Sequence, residues 1–270
     1  MLGDRTHFAD GRYQIRSILG VGGTSTVYRV FDNHMQIERA LKVLRLSPGH
    51  SESLALRQLR EVQLSTRFDH PHITRIYDIF RDGDDVCTVL EIALCGLSDL
   101  VKQQGNLPVD TVIHIAQQTA SALKLVHEQG VVHRDIKPHN LLVFENNIVK
   151  ITDFGIAYRP DDNWGITQTG AVLGTYAFMA PEQRHPNGTL DGRADVFGLG
   201  GTLLWLLTSA TPADDPTRIE DTLSRLPTQI SELIERSTAH EPELRIPDMA
   251  SFLIALNRIG STLPDSGYPL

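Results

Sequence analysis

The run from Val196 to Leu207 is apolar nearly all round and contains no charged residue. A helix built from it has no face to offer water, so it must sit inside a shell of other elements. It is also too short to span a bilayer. The rest of the second part of the chain supplies such a shell. After Pro108, residues Val109, Val112, Ile113, Ala116, Ala120, Leu123 and Val126 recur at three- and four-residue spacings until Gly130 stops the pattern. That spacing predicts a long amphipathic helix. Two more helical patterns follow at Thr228 to Thr238 and Asp248 to Ile259, and residues 260–270 read as a frayed, flexible tail.

Ahead of residue 95 the character differs. Tyr13 to Leu19, Val27 to Phe31, Ile37 to Leu46 and Val86 to Ile92 are β-favouring runs, with a helix expected over Leu54 to Phe68 after Ser51 and Ser53. The fold expected is α+β and bilobal: a small β-rich lobe over 1–92, a larger helical lobe over 93–259, then the tail. Apolar residues make up 41% and charged residues 21% of the 270, which excludes a disordered or low-complexity chain. The net charge of −8 argues against nucleic acid as a partner. Cys87 and Cys95 lack metal-ligand spacing and read as reduced thiols. The first residues carry no apolar secretory run, so the expectation is a soluble, cytoplasmic protein without a membrane segment.

Gly20, Gly22 and Gly23 fall between two strands. Bare backbone there lets N–H groups approach phosphate oxygens, although hairpins also turn on glycines. A strand follows them, not a helix, which disfavours both the dinucleotide-binding and the P-loop readings. Lys42, among apolar strand neighbours, is either on a solvated face or held inward for an anion. Glu61 on the following helix is its candidate partner or a solvated position.

The richest segment is Val131 to Gly155, where Leu141 to Phe144 and Ile148 to Ile151 flank a turn. A turn centred on Asn146 and Asn147 sets Asn140 directly opposite Asp153, with β-carbons about 5 Å apart. Two hard oxygen ligands so placed suit Mg²⁺. Asp135 and Lys137 add a carboxylate and a cation beside them.

Taken in order, these residues resemble the eukaryotic-like (Hanks-type) serine/threonine protein kinase family, over about residues 10–259. The motifs are Gly20-Val21-Gly22-Gly23, Ala40-Leu41-Lys42, Glu61, His133-Arg134-Asp135 through Asn140, Asp153-Phe154-Gly155, Ala180-Pro181-Glu182, Asp195 and Arg245. The resemblance implies a protein kinase using ATP and Mg²⁺, with Mn²⁺ as an alternative ion. It implies Asp135, Lys137, Lys42 and Glu61 as catalytic residues and Asn140 and Asp153 as metal ligands. The implied nucleotide site is Gly20, Val21, Gly22, Gly23, Val27, Ala40, Lys42, Leu90, Glu91, Ala93, Asn140, Leu142 and Asp153. Lys137 and the Gly174-Thr175 pair resemble serine/threonine kinases, so the implied substrates are protein Ser and Thr hydroxyls.

The stretch Ile166 to Thr175 is similar to bacterial members, in which threonines at the positions of Thr167 and Thr169 are autophosphorylated. Arg134, Thr175, Glu182 and Arg245 are implied as regulatory residues, since a guanidinium at 134 can dock a phosphothreonine. Three departures stand out. Ser25 replaces the third glycine, Ser65 stands where a larger apolar residue is usual, and the segment between Asp195 and Arg245 is short for the family. The last leaves little room for a helix of the family's usual size and its loops over residues 210–225. A homodimer or an activating partner is a further expectation. The competing readings are a nucleotide-binding pseudokinase scaffold and a small-molecule kinase.

Overall fold

The computed structural model describes residues 5–22, 25–45, 51–154, 176–184 and 190–270. Gly23, Gly155, Thr167, Thr169 and Thr175 lie outside the described residues. The chain divides into two compact units, Met1–Asp69 with Thr74–Ala93, and His70–Ile73 with Leu94–Leu270. The first is mainly sheet and the second mainly helix, so the α+β class expected from the sequence is the one observed.

In the first unit six antiparallel strands run in the order β1-β2-β3-β4-β6-β5. They are β1 (His7–Phe8), β2 (Tyr13–Val21), β3 (Ser25–Asp32), β4 (Ile37–Arg45), β5 (Ile76–Asp82) and β6 (Asp85–Leu90). One helix, α1 (Ser51–Ser65), lies between β4 and β5 in the chain. Alternation gives the sheet two different faces. On one, Phe8, Tyr13, Tyr28, Val30, Leu41, Val43, Cys87 and Val89 form a dry core. On the other, Leu44, Val86 and Ile79 receive Ala55 of α1. Lys42 shares that second face, paired in register with Val27 on one side and Thr88 on the other.

The β3–β4 turn is fixed by Asp32, which is 2% exposed. Its carboxylate accepts the amides of His34 and Met35 and two guanidinium N–H groups of Arg12. Those bonds outweigh burial and hold its pKa below the ordinary value. Burial pushes the Cys87 thiol up to about 12, and both cysteines are free thiols.

The second unit holds β7 (Cys95–Gly96), α2 (Leu97–Gln104), α3 (Val109–Glu128), β8 (Leu141–Phe144) and β9 (Ile148–Ile151). Its later helices are α4 (Arg193–Thr208), α5 (Pro216–Leu223), α6 (Thr228–Ser237) and α7 (Met249–Gly260). Helix α4 is the apolar run, buried along nearly its whole length. Its glycines are where neighbours come closest. A β-carbon at Gly198 would lie 2.7 Å from the Ile136 carbonyl oxygen, and one at Gly200 2.4 Å from Ser237 Cβ. One at Gly201 would lie 2.8 Å from Pro212.

Within the stretch expected to be too short for a helix of the usual size, α5 has eight residues; Asp215 caps it, accepting the Thr217 amide, and Pro216 occupies its first turn. Residues 261–270 run back past α3 as irregular chain. The segment His70–Ile73 is stitched to β9: the Ile151 amide donates to the His72 carbonyl at 3.0 Å. Among the described residues no helix is long and apolar enough to cross a membrane.

Three buried hydroxyls of the first unit, those of Tyr13, Thr74 and Thr88, have no hydrogen-bond partner among the described residues. Of these residues, Thr88 is 2% exposed. Thr88→Val keeps the shape and removes the orphan, so it should raise stability by about 1 kcal/mol. A rise in the urea midpoint at unchanged slope would show this, and a lower midpoint would contradict it.

Candidate active site

In the first unit, Gly20 and Val21 end β2, and the Gly22 amide donates to the Ser25 carbonyl at 2.8 Å. A β-carbon at Gly22 would come 3.3 Å from that carbonyl, whereas one at Gly20 would meet nothing within 4 Å. The protein's own packing therefore asks for a small residue at 22 and not at 20. Lys42 Nζ lies 3.8 Å from Glu61 Oε1, an ion pair wider than a hydrogen bond, and each side chain is 15% exposed. Val27 is half-buried beside Lys42, while Ala40 and Leu90 are buried and paired across β4 and β6. Glu91 is bound to Arg75 in both directions. Its carboxylate accepts the Arg75 amide at 2.7 Å, and its own amide donates to the Arg75 carbonyl at 3.1 Å. Ala93, half-buried, closes this stretch.

In the second unit the site is built from Asp195 outward. This carboxylate, in the first turn of α4, is fully buried. Its Oδ2 accepts the His133 amide at 2.8 Å and lies 2.7 Å from His127 Nε2, and its Oδ1 accepts the Arg134 amide at 2.8 Å. Burial alone would raise its pKa, but His127, His133 and these amides together hold it below the ordinary value. Arg134 adopts φ +72°, a conformation that costs a β-carbon-bearing residue about 1–3 kcal/mol. Its peptide groups are pinned on both sides, the amide by Asp195 and the carbonyl by Gln183 Nε2 at 2.8 Å.

That anchored turn presents Asp135. Its Oδ2 accepts from Lys137 Nζ and from Asn140 Nδ2, both at 2.8 Å, and Asn140 Nδ2 also donates to the Asp135 carbonyl. The Asn140 amide nitrogen is thereby committed to Asp135, which turns its Oδ1 the other way. His133 is completely buried and packs against Phe154 with ring centroids 4.7 Å apart and the ring planes tilted by 44°. Burial pushes its pKa down. The Asp135 amide points at His133 Nδ1 at 3.3 Å, so the neutral ring carries its proton on Nε2, directed at the Thr152 carbonyl.

The hairpin register corrects one expectation. The turn occupies Glu145–Asn147, with Asn146 at φ 61° and Asn147 at φ 57°, in place of a two-residue turn. Leu141 pairs with Ile151 and Phe144 with Ile148, one residue out of step with the expected pairing. Asn140 therefore stands across from Thr152, whose amide it accepts at 3.0 Å, and not across from Asp153. Asp153 follows at φ +56°, where the alternation of an extended strand ends and a side chain is re-aimed. Leu142 sits half-buried between Gly96 and Lys150.

Among the described residues no group of three or more His, Cys, Asp or Glu is arranged to hold a metal. Asn140 Oδ1 and the Asp153 carboxylate are a different donor set: two hard oxygens suit Mg²⁺, which keeps its other positions for water and phosphate.

Glu182 and Arg245 form a bidentate pair at 2.6 and 2.8 Å. The remaining Arg245 N–H groups reach the carbonyls of Ala239, Arg193 and His240, so every donor of this buried guanidinium is used. His127 looks in the sequence like an ordinary polar residue of a helical turn, and only the fold reveals that it faces Asp195.

Two expectations follow. Arg245→Met leaves Glu182 without its partner and should cost about 3–5 kcal/mol, read by denaturant unfolding. A cost under 1 kcal/mol would show the pair to be replaceable. The second concerns pH. Burial lowers the pKa of His70, His72, His133 and His139, all in the second unit. The unfolded chain then binds more protons, so their stabilisation is complete above the ordinary histidine pKa and is lost as pH falls through the lower folded values. The Tm should fall steadily from pH 7.5 to 5.5, where carboxylates stay ionised. A flat Tm would refute this.

Comparison with known proteins agrees with the geometry. Residues 13–257 match the protein kinase domain family. Serine/threonine-protein kinase PknB of Mycobacterium leprae is 32% identical over 277 residues, covering 96% of this chain and 44% of that protein. Serine/threonine-protein kinase PrkC of Bacillus subtilis is 33% identical over 247 residues, covering 86% and 38%. The chain thus spans about two fifths of the length of these relatives. The crystal structure of the Mycobacterium tuberculosis PknI kinase domain matches with a TM-score of 0.73 at 26% identity, over 96% of this chain and 99% of that one. This chain belongs to the Hanks-type serine/threonine protein kinase family.

Proposed function

We propose that the chain transfers the γ-phosphoryl group of ATP to serine or threonine hydroxyls of proteins. The observation that carries this is the cluster of Asp135, Lys137 and Asn140 on a loop pinned to a buried carboxylate. The acceptor oxygen bonds to the γ-phosphorus as the bond to the β,γ-bridging oxygen breaks, and ADP leaves. Asp135 orients the acceptor hydroxyl and takes its proton. Lys137, already paired with Asp135, holds positive charge where the phosphoryl group passes. Asn140 and Asp153 would hold Mg²⁺, which when bound would offset charge on the phosphates. The family generally uses both ATP and this ion.

Lys42, oriented by Glu61, takes the α- and β-phosphates. Gly20, Val21, Gly22 and Gly23 cover the phosphates, and the openness around Gly20 supports an approach of ligand to bare backbone. Val27, Ala40, Leu90, Glu91, Ala93 and Leu142 are the further proposed nucleotide-binding residues. Thr167 and Thr169 are the proposed autophosphorylation sites, with Arg134 as the dock for the phosphate and Thr175 as a further proposed regulatory residue. The two free thiols support a reducing compartment such as the cytoplasm.

Intact-mass spectrometry after incubation with Mg-ATP tests the reading. Gains of about 80 Da per phosphate are expected, mapping to Thr167 or Thr169. Asp135→Asn and Lys42→Met should each lower the rate by roughly 10²–10⁴-fold. Bound nucleotide with no phosphate on the chain or on an added acceptor protein would favour a scaffold instead.

A further inference from the structure

The segment after α7 turns back and lies across the start of α3. It is held mainly by polar contacts. The Ser266 amide donates to Asp110 Oδ2 at 2.7 Å, and the Ser266 hydroxyl oxygen accepts the Tyr268 amide at 3.3 Å. The Tyr268 hydroxyl bonds Gln104, and the Leu270 amide donates to Asn147 Oδ1 at 3.0 Å. Between this strap and α3 lies a cavity of about 370 Å³ lined by Asp110, Ile113, His114, Gln117 and Tyr268 among others. The strap therefore bridges over α3 with little apolar packing beneath it, so a few hydrogen bonds decide whether it stays. Ser266 itself is exposed, on irregular backbone, between Asp265 and Gly267 at φ +65°.

We propose that Ser266 is a phosphorylation site of this kinase and that its phosphorylation unlatches residues 261–270 from α3. The inference rests on the phosphotransfer proposed above. Ser266 Oγ bonds to the γ-phosphorus, the bond to the bridging oxygen breaks, ADP leaves, and the hydroxyl proton passes to Asp135. The product replaces the neutral hydroxyl of a residue whose own amide is held by the Asp110 carboxylate with a group of about −2 charge. Helix starts often welcome phosphate. Here, however, Asp110 already stands in the first turn of α3 and Asp265 precedes Ser266, so the phosphate meets two carboxylates, Asp110 and Asp265. Among the residues lining the cavity the one basic side chain is His114.

The test uses the full chain. After incubation with Mg-ATP, phosphosites are mapped by mass spectrometry beside dephosphorylated casein as an independent acceptor. Hydrogen exchange at the Ser266 and Leu270 amides is read by NMR for the untreated chain, the phosphorylated chain, Ser266→Glu, and Ser261→Glu as a charge control. Phosphate on Ser266 is expected, with both amides exchanging roughly tenfold faster or more in the phosphorylated chain and in Ser266→Glu. The Ser261→Glu control should match the untreated chain, since Ser261 bonds only the end of α7. Casein phosphorylated without Ser266 overturns this proposal and leaves the kinase reading intact. Unchanged exchange in Ser266→Glu, or no protection in the untreated chain, overturns the latch whatever the activity. Phosphate on neither protein overturns the kinase reading and this proposal with it.

Discussion

A carboxylate with no access to water holds the proposed catalytic loop in place. Burying the Asp195 charge would cost several kcal/mol if nothing answered it. The answer comes from two successive amides of the loop and from the His127 ring, three hydrogen bonds on two oxygens. The loop gains as much from the arrangement as the carboxylate does. Arg134 could not rest at a positive φ without its amide being claimed, and Asp135 points where it does because Arg134 turns there. The close approach of Ile136 to Gly198 brings the loop backbone against α4, leaving no slack for the turn to relax.

The second unit repeats this logic at larger scale. Arg245 is a buried cation whose five N–H groups are all taken, and Gln183 bonds both the Ala180 amide and the Arg134 carbonyl. Charges inside the helical unit thus occur where the chain must make a turn that propensity would not choose. In the first unit the same principle is visible at Asp32, whose carboxylate shapes the β3–β4 turn while gripping Arg12.

How much of this was legible beforehand depended on the range of the signal. Helices α3, α4, α6 and α7 announce themselves through apolar period or its absence, and their ends fell within a few residues of the expectation. Strand β5 escaped notice because it is a sheet edge with an irregular burial pattern. The β8–β9 hairpin was foreseen but its pairing was off by one. Two asparagines suit left-handed backbone, but nothing in Glu145-Asn146-Asn147 says that Glu145 will join the turn and shift the pairing by one. The proposed site residues could be named from motif order, yet their supports could not. His127 lies 68 positions from its partner Asp195, a relation that exists only after folding.

The glycines of α4 have a kinetic consequence. Gly198, Gly200 and Gly201 let three neighbours press against the helix, but each lowers intrinsic helix propensity by roughly 1 kcal/mol relative to alanine. An isolated segment of this sequence has little reason to coil, and its stability is supplied by the elements that enclose it. The most buried helix of the second unit is therefore a late-forming one. Folding must begin in more autonomous helices such as α3, and α4 becomes helical only as the surrounding walls close on it.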